Sequence, residues 1–110
     1  MFLLFCLLYI CDSYLLAGNS FVSDSVWETP KKVILYGKSQ ALKNRLDVIN
    51  KIETDYRFRD LNAEAKYNFY DQVQLGLGQS GNMTDCINYM NKCISFAIEN
   101  NREDLLYYSN

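Results

Sequence analysis

The chain has 110 residues and a mass of 12.8 kDa, which limits it to one small domain. Hydrophobic residues make up 49% and charged residues 22%, a balance typical of globular rather than disordered proteins. The net charge is −2 and Lys and Arg are scattered among the acids, so no basic patch indicates nucleic-acid binding. The sequence has no histidine, which excludes a His-based general base or metal ligand.

Residues 1–17 begin with an uninterrupted apolar run from Met1 to Cys11. This length is typical of the hydrophobic region of a secretory signal peptide and is too short to span a bilayer. The first prediction is therefore an exported protein of the periplasm or envelope. The alternative is a buried first helix over residues 2–17, since no Lys or Arg precedes the run, and a cytoplasmic protein.

Residues 18–60 are predicted to be a linker followed by one long amphipathic helix. Ser20–Glu28 is polar, and Pro30 is placed in the first turn of the helix with Thr29 as its N-cap. We predict this helix over residues 30–55, with Gly37 as a point of bending or interruption. Its apolar stripe consists of Leu42, Leu46, Ile49, Ile52 and Tyr56, and its outward face of Lys43, Asn44, Arg45, Lys51 and Glu53. Lys32–Tyr36 is the one segment whose sequence would also suit a strand. Arg57–Asp60 is predicted to be a charged connection to the next helix.

Residues 61–110 are predicted to form a helical hairpin and the start of a further helix. The helices cover 61–79, 83–99 and 102–109, and the first two are joined at Ser80-Gly81-Asn82. Thr84 or Asp85 is predicted to satisfy the free N–H groups that begin the second helix. Apolar and small residues recur at helical spacing and predict one packing face per helix. These residues are Tyr67, Tyr70, Val73 and Leu77 in the first helix, and Met83, Cys86, Ile87, Met90, Cys93, Ile94 and Ala97 in the second.

The hairpin resembles one tetratricopeptide repeat (TPR), whose unit is a helix pair of about 34 residues. The resemblance lies in Gly81 at the turn, followed by Asp85-Cys86-Ile87, Tyr89-Met90 and Lys92-Cys93-Ile94. The two cysteines stand where the family has alanine, whereas Gln74 replaces a small residue and no proline closes the unit. The resemblance implies an all-α fold, a TPR-like α-solenoid fragment of antiparallel hairpins. Gly81, Cys86, Met90 and Cys93 are then helix-packing residues.

The order of elements from Trp27 to Asn110 is similar to the amino-terminal region of Bacteroidetes envelope TPR proteins. The similarity rests on Tyr36–Ser39, the long helix ending in Lys51-Ile52, and Ala65–Tyr70. It implies the extracytoplasmic part of a sensor or scaffold, associated with the membrane through downstream segments. The last predicted helix stops after about two turns, without the polar capping helix that ends a repeat array. For this reason we interpret the chain as a fragment of a longer repeat protein, and a complete short protein is the alternative.

The chemistry-bearing side chains do not indicate an enzyme. Cys86 and Cys93 are seven residues apart, about 10.5 Å along a helix, which is too far for a disulfide between them. Outside residues 1–17 no further Cys or His could complete a metal site with them, so packing is the favoured role. The carboxylates Glu53, Asp55, Asp60 and Glu64 surround a connection and are interpreted as solvated surface. The sequence predicts no catalytic residue, no cofactor and no metal.

The leading functional hypothesis is a non-enzymatic module that binds a protein or peptide segment. In TPR proteins the first helix of each unit lines the groove that holds the partner, which makes Tyr67, Tyr70 and Gln74 the candidate partner-binding residues. Tyr67 and Tyr70 also suit the core between helices. The alternative function is a small exported helical protein that acts alone, such as a toxin-neutralising immunity protein.

Overall fold

The structure is a computed structural model that describes residues 22–107. These residues are all-helical and contain no strand, which confirms the predicted all-α class. The elements are the 3-10 helix η1 (Asp24–Glu28), α1 (Pro30–Leu42), α2 (Leu46–Thr54), α3 (Tyr56–Arg59), α4 (Ala63–Gln79), α5 (Met83–Glu99) and the 3-10 helix η2 (Glu103–Tyr107). The predictions for residues 1–17 lie outside the described residues, and the last predicted helix is described only as far as η2.

The prediction of one helix over residues 30–55 is wrong, because the chain turns between Leu42 and Leu46. Asn44 adopts a φ of 58°, a left-handed conformation that Asn tolerates better than most residues other than glycine. Gly37, the predicted point of interruption, lies inside α1. The spacing of Leu42 and Leu46 continues the helical period across the turn, and for this reason the sequence favours one helix.

Two further segments that the sequence predicts as irregular are helical. Ser20–Glu28 contains η1, and Arg57–Asp60 overlaps α3. The guanidinium group of Arg57 donates to a carboxylate oxygen of Asp24 at 2.9 Å and lies 4.9 Å from the centre of the Trp27 ring. These contacts hold η1 against α3.

Helix caps fix the ends of the elements. Thr29 accepts a hydrogen bond from the backbone N–H of Lys32 at 3.1 Å, which confirms the predicted cap of α1. Asn82, rather than the predicted Thr84 or Asp85, caps α5 through the N–H of Asp85 at 3.2 Å.

Three helices end in the same way, with a residue at positive φ followed by a backbone hydrogen bond that closes the turn. The positive-φ residues are Asn44 after α1, Gly81 after α4 and Asn101 after α5. The closing N–H···O bonds are Arg45 to Gln40 at 2.9 Å, Asn82 to Leu77 at 2.9 Å, and Arg102 to Ala97 at 2.7 Å. This six-to-one bond is the mark of a Schellman cap. The sequence predicts the turns after α4 and α5 but not the turn at Asn44.

The core forms where α4 packs between α1 and α5. The largest fully buried side chains are Val33, Ile49, Ile52, Phe69, Val73 and Leu77. Gly37 faces Phe69 and Gly76 faces Ala41, so α1 and α4 approach closely at two glycines. Of the predicted stripe of residues 42–56, Ile49 and Ile52 are buried, whereas Leu42 and Tyr56 are exposed.

Candidate functional site

The apolar face of α5 is wider than the part that α4 covers. Cys86, Cys93 and Ala97 are buried, and Tyr89 is buried beside them. Five large apolar side chains are 44–55% exposed, and we call them the α5 stripe: Met83, Ile87, Met90, Ile94 and Ile98. Their spacing of three and four residues places them within an arc of roughly 80° on the helix. The predicted packing face is therefore wrong for four residues, since Met83, Ile87, Met90 and Ile94 are not covered.

A cavity of about 340 Å³ lies beside the α5 stripe, between α4, α5 and η2. It is lined by Tyr67, Asp71, Gln74, Met90, Cys93, Ile94 and Leu106. Two of the three predicted partner-binding residues, Tyr67 and Gln74, thus lie at one cavity. Asp71 was not among the predicted residues, although its spacing of four from Tyr67 places both on one face of α4.

Tyr70, the third predicted partner-binding residue, does not line this cavity. Its ring packs among aromatic side chains, with ring centroids 5.9 Å from Phe58, 6.0 Å from Phe69 and 5.9 Å from Phe96. Burial raises the pKa of the Tyr70 hydroxyl to about 12, with a smaller contribution from Glu53. Tyr70 therefore belongs to the core side of the helix pair.

The other predicted packing residues have separate roles. Gly81 has a φ of 88° and faces open space, so the turn needs its backbone freedom rather than its size. Cys86 donates from Sγ to the Oε1 atom of Gln74 at 3.4 Å, a contact between α5 and α4. Met90 is 44% exposed and contributes to the wall of the cavity rather than to the core.

The cavity has a buried floor. Tyr67 is 3% exposed and Cys93 is 4% exposed, and both pack with Ala97 and Leu105. Burial raises the pKa of the Cys93 thiol to about 12, and the charge of Asp71 acts in the same direction. Cys93 is therefore a neutral, apolar part of the floor and not an activated nucleophile.

Among the described residues that line the cavity, Asp71 has the one charged side chain. It is half-buried and accepts a hydrogen bond from the Nε2 atom of Gln74 at 3.3 Å. Burial raises the pKa of its carboxyl group, although the Gln74 bond opposes this effect. Among residues 22–107, no Lys or Arg forms an ion pair with Asp71.

The carboxylates that surround the predicted connection do not form a joint site. Glu53, predicted to face outward, accepts from the Nζ atom of Lys92 at 3.0 Å, and its side chain is only 11% exposed. Asp55 instead pairs with Arg57 at 2.9 Å. Lys92 also lies 4.4 Å from the ring centre of Tyr89, so this cluster joins α2 to α5.

No group of three or more Cys, Asp or Glu side chains in residues 22–107 is placed to hold a metal ion. Within the same residues, no helix combines the length and apolar character that crossing a membrane requires. Comparisons with protein-family models, curated proteins and solved structures give no match to the chain.

Alkaline pH provides a test of the buried floor. The pKa of the Cys93 thiol is about 12 in the native state, compared with its ordinary value of 9.0. The native state therefore holds this proton more tightly than the unfolded chain does. The contribution of the thiol to stability is complete below pH 9.0 and is lost as the pH rises towards 12, because the unfolded chain releases the proton first. We expect urea titrations at pH values from about 8 to 11 to give a falling free energy of unfolding.

The Cys93→Ala variant is the control for this prediction. Its loss of stability should begin only above pH 10.0, the ordinary pKa of Tyr70, because the thiol is gone. A wild-type stability that is constant up to pH 11 would contradict the burial of the thiol and the tyrosine.

Proposed function

We propose that the chain is a non-enzymatic, TPR-like interaction module that holds a polypeptide segment along the groove between α4 and α5. The observation that carries the proposal is the α5 stripe, a row of five exposed apolar side chains beside a cavity. Contiguous apolar surface of this kind marks interaction sites in small proteins.

The relation between the two helix pairs supports the TPR-like part of the proposal. In a TPR array each unit contacts its neighbour through equivalent elements. Here the first helices pack closely where Gly76 faces Ala41, and an ion pair between Glu53 and Lys92 links the second helices. The turns also meet, since the side-chain N–H of Asn82 donates to the side-chain oxygen of Asn44 at 2.9 Å. These contacts between α1–α2 and α4–α5 support the proposed stacking of the two helix pairs.

The border of the α5 stripe supports a protein partner. The neighbouring positions on α5 that face solvent are uncharged and comprise Thr84, Asn88, Asn91 and Ser95. Interface centres are more apolar than their rims, are poor in charged residues and are rich in methionine and aromatic side chains. The stripe and its border are uncharged, and the stripe contains two methionines, which are features of an interface centre.

Energetics indicate that the cavity is needed as well as the stripe. Complete burial of five half-exposed side chains contributes about 5 kcal/mol, taking about 1 kcal/mol for each. Association itself costs about 4 to 15 kcal/mol, so the stripe alone would support only weak binding. A partner side chain that enters the cavity supplies the anchor on which a stable complex depends.

A display library of helical peptides tests the proposal with the full chain as the bait. The peptides would have about 18 residues, close to the length of α5, with apolar residues fixed at spacings of three and four. We expect the wild-type chain to enrich a subset of the library, and the Ile94→Glu variant to enrich none, because a charge on the stripe is costly to bury.

Leu35→Glu is the matched control. Leu35 is 53% exposed on α1 and does not belong to the stripe, so its variant should enrich the same peptides as wild type. Both variants should keep the wild-type melting temperature to within about 3 °C, since both positions are exposed. Equal enrichment by wild type and Ile94→Glu would refute the proposed groove.

A further inference from the structure

We infer that the segment held in the groove is an amphipathic helix that places a lysine or arginine against Asp71. This inference rests on the proposed function and names the chemistry of its partner. The expected partner is a single helix whose aliphatic side chains are accompanied by one cation. The two parts of the inference, the helix and the cation, depend on separate observations.

The helical form of the partner follows from how η2 occupies one end of the same groove. Leu105 of η2 is 5% exposed and packs against Tyr67, Cys93 and Ala97. The next residue, Leu106, lines the cavity. The groove therefore already receives aliphatic side chains from a helical backbone at one end. Beyond that end it is bordered by Met90 and Ile94, which leaves room for further side chains at helical spacing.

The cation follows from the position of Asp71. Among residues 22–107, its carboxylate is the one charged group that lines the cavity, and it receives one neutral hydrogen bond, from Gln74 at 3.3 Å. A carboxylate in such surroundings loses hydration without the compensation of an opposite charge. The raised pKa of Asp71 reflects this cost in the free protein. A Lys or Arg from the partner would provide the missing charge and a charge-assisted hydrogen bond.

Other carboxylates of the described chain do not have this arrangement. Glu53, Asp55 and Asp104 each pair with a basic residue of the chain itself. The carboxylate of Asp85 accepts from the side-chain amides of Asn82 at 2.8 Å and Asn88 at 3.5 Å, and it does not line the cavity. Asp71 thus combines partial burial, an adjacent cavity and the absence of a cation among residues 22–107. Groups that carry such a cost are concentrated at functional sites.

The test repeats the peptide selection with the full chain and with two variants of Asp71. We expect wild type to enrich peptides with Lys or Arg at one position, and Asp71→Lys to enrich Asp or Glu there. For a selected lysine peptide, Asp71→Asn should raise the Kd about 10-fold. When glutamine replaces the lysine of that peptide, Asp71→Asn should change the Kd less than about 2-fold. Asp71→Asn should also melt slightly above wild type without peptide, because it removes the half-buried charge.

Asp60→Lys is the control for net charge, since Asp60 is exposed and lies outside the groove. It should enrich the same peptides as wild type. Enrichment by wild type without any preference for a cation would overturn this inference and leave the proposed function intact. If neither wild type nor Ile94→Glu enriches any peptide, both this inference and the proposed function are overturned.

Two other occupants would also overturn the inference, and each has its own signature. A homodimer in sedimentation that Ile94→Glu dissociates would show that a second copy covers the α5 stripe. Peptide binding that appears only after removal of residues 1–17 would show that this apolar segment fills the groove. A monomeric full chain that binds lysine peptides through Asp71 supports the inference.

Discussion

Replacing Gly76 by alanine is expected to lower the free energy of unfolding by about 2 kcal/mol, although alanine is the better helix former. A Cβ atom at Gly76 would lie 2.7 Å from the Cβ atom of Ala41 and 3.0 Å from the backbone oxygen of Lys38. These atoms belong to α1, so relief of the clash requires α1 and α4 to separate. The separation would loosen the fully buried side chains between them. Urea unfolding followed by far-UV circular dichroism measures the loss.

Gly78→Ala is the matched control in the same helix. Its Cβ would approach only the Sγ atom of Cys86, at 3.2 Å, and that side chain can adjust by a few tenths of an ångström. The gain in helix propensity, about 1 kcal/mol, should then offset the contact or exceed it. Equal destabilisation by the two substitutions would contradict the close approach of α1 and α4 at Gly76.

These two glycines illustrate what the sequence could not reveal. Gly76 and Gly78 stand in the same helix, and helix propensity assigns both the same local cost. Only the tertiary arrangement distinguishes them, because one faces the backbone of α1 and the other faces a thiol. A packing role for a helical glycine depends on the partner helix, which the local sequence does not specify.

The turn at Asn44 and the exposed surface of α5 could not be predicted from the sequence, for different reasons. Asn44 lies between residues that continue the helical period, so neither a glycine nor a change of period marks the turn. In α5 the helical period identifies the apolar face correctly. It does not reveal that α4 covers only the half with Cys86 and Cys93, which leaves the α5 stripe exposed.

The all-α class and the hairpin, by contrast, were predictable from local signals. Gly81 and the helical spacing on either side place α4 and α5 within about two residues of their observed ends. At the candidate site the sequence predicts Tyr67 and Gln74 but not Asp71. A carboxylate is ordinarily expected in solvent, and only the positions of α5 and η2 make this one half-buried.

Replacing Phe69 by alanine is expected to cost about 4 kcal/mol, a large part of the stability of a domain of this size. Phe69 is fully buried, and its ring centroid lies 5.1 Å from that of Phe58 in an edge-on contact. The substitution leaves a cavity between α1, α4 and α3 that the rigid neighbours cannot fill. Thermal and urea unfolding of Phe69→Ala measure this cost. Phe96→Ala, at a half-buried position, should cost about 1 to 2 kcal/mol and serves as the control.

Gly37 allows a test of how Phe69 packs against α1, because a Cβ atom at Gly37 would clash with the Cε1 atom of Phe69. Gly37→Ala alone should destabilise the chain by about 2 kcal/mol. In a Phe69→Leu background the aromatic edge is absent, so the same substitution should cost at least about 1 kcal/mol less. If the free-energy effects of Gly37→Ala and Phe69→Leu are additive, α1 and α4 do not meet at Gly37 and Phe69. A positive coupling would establish the crossing of α1 and α4, on which the proposed stacking of the two helix pairs depends.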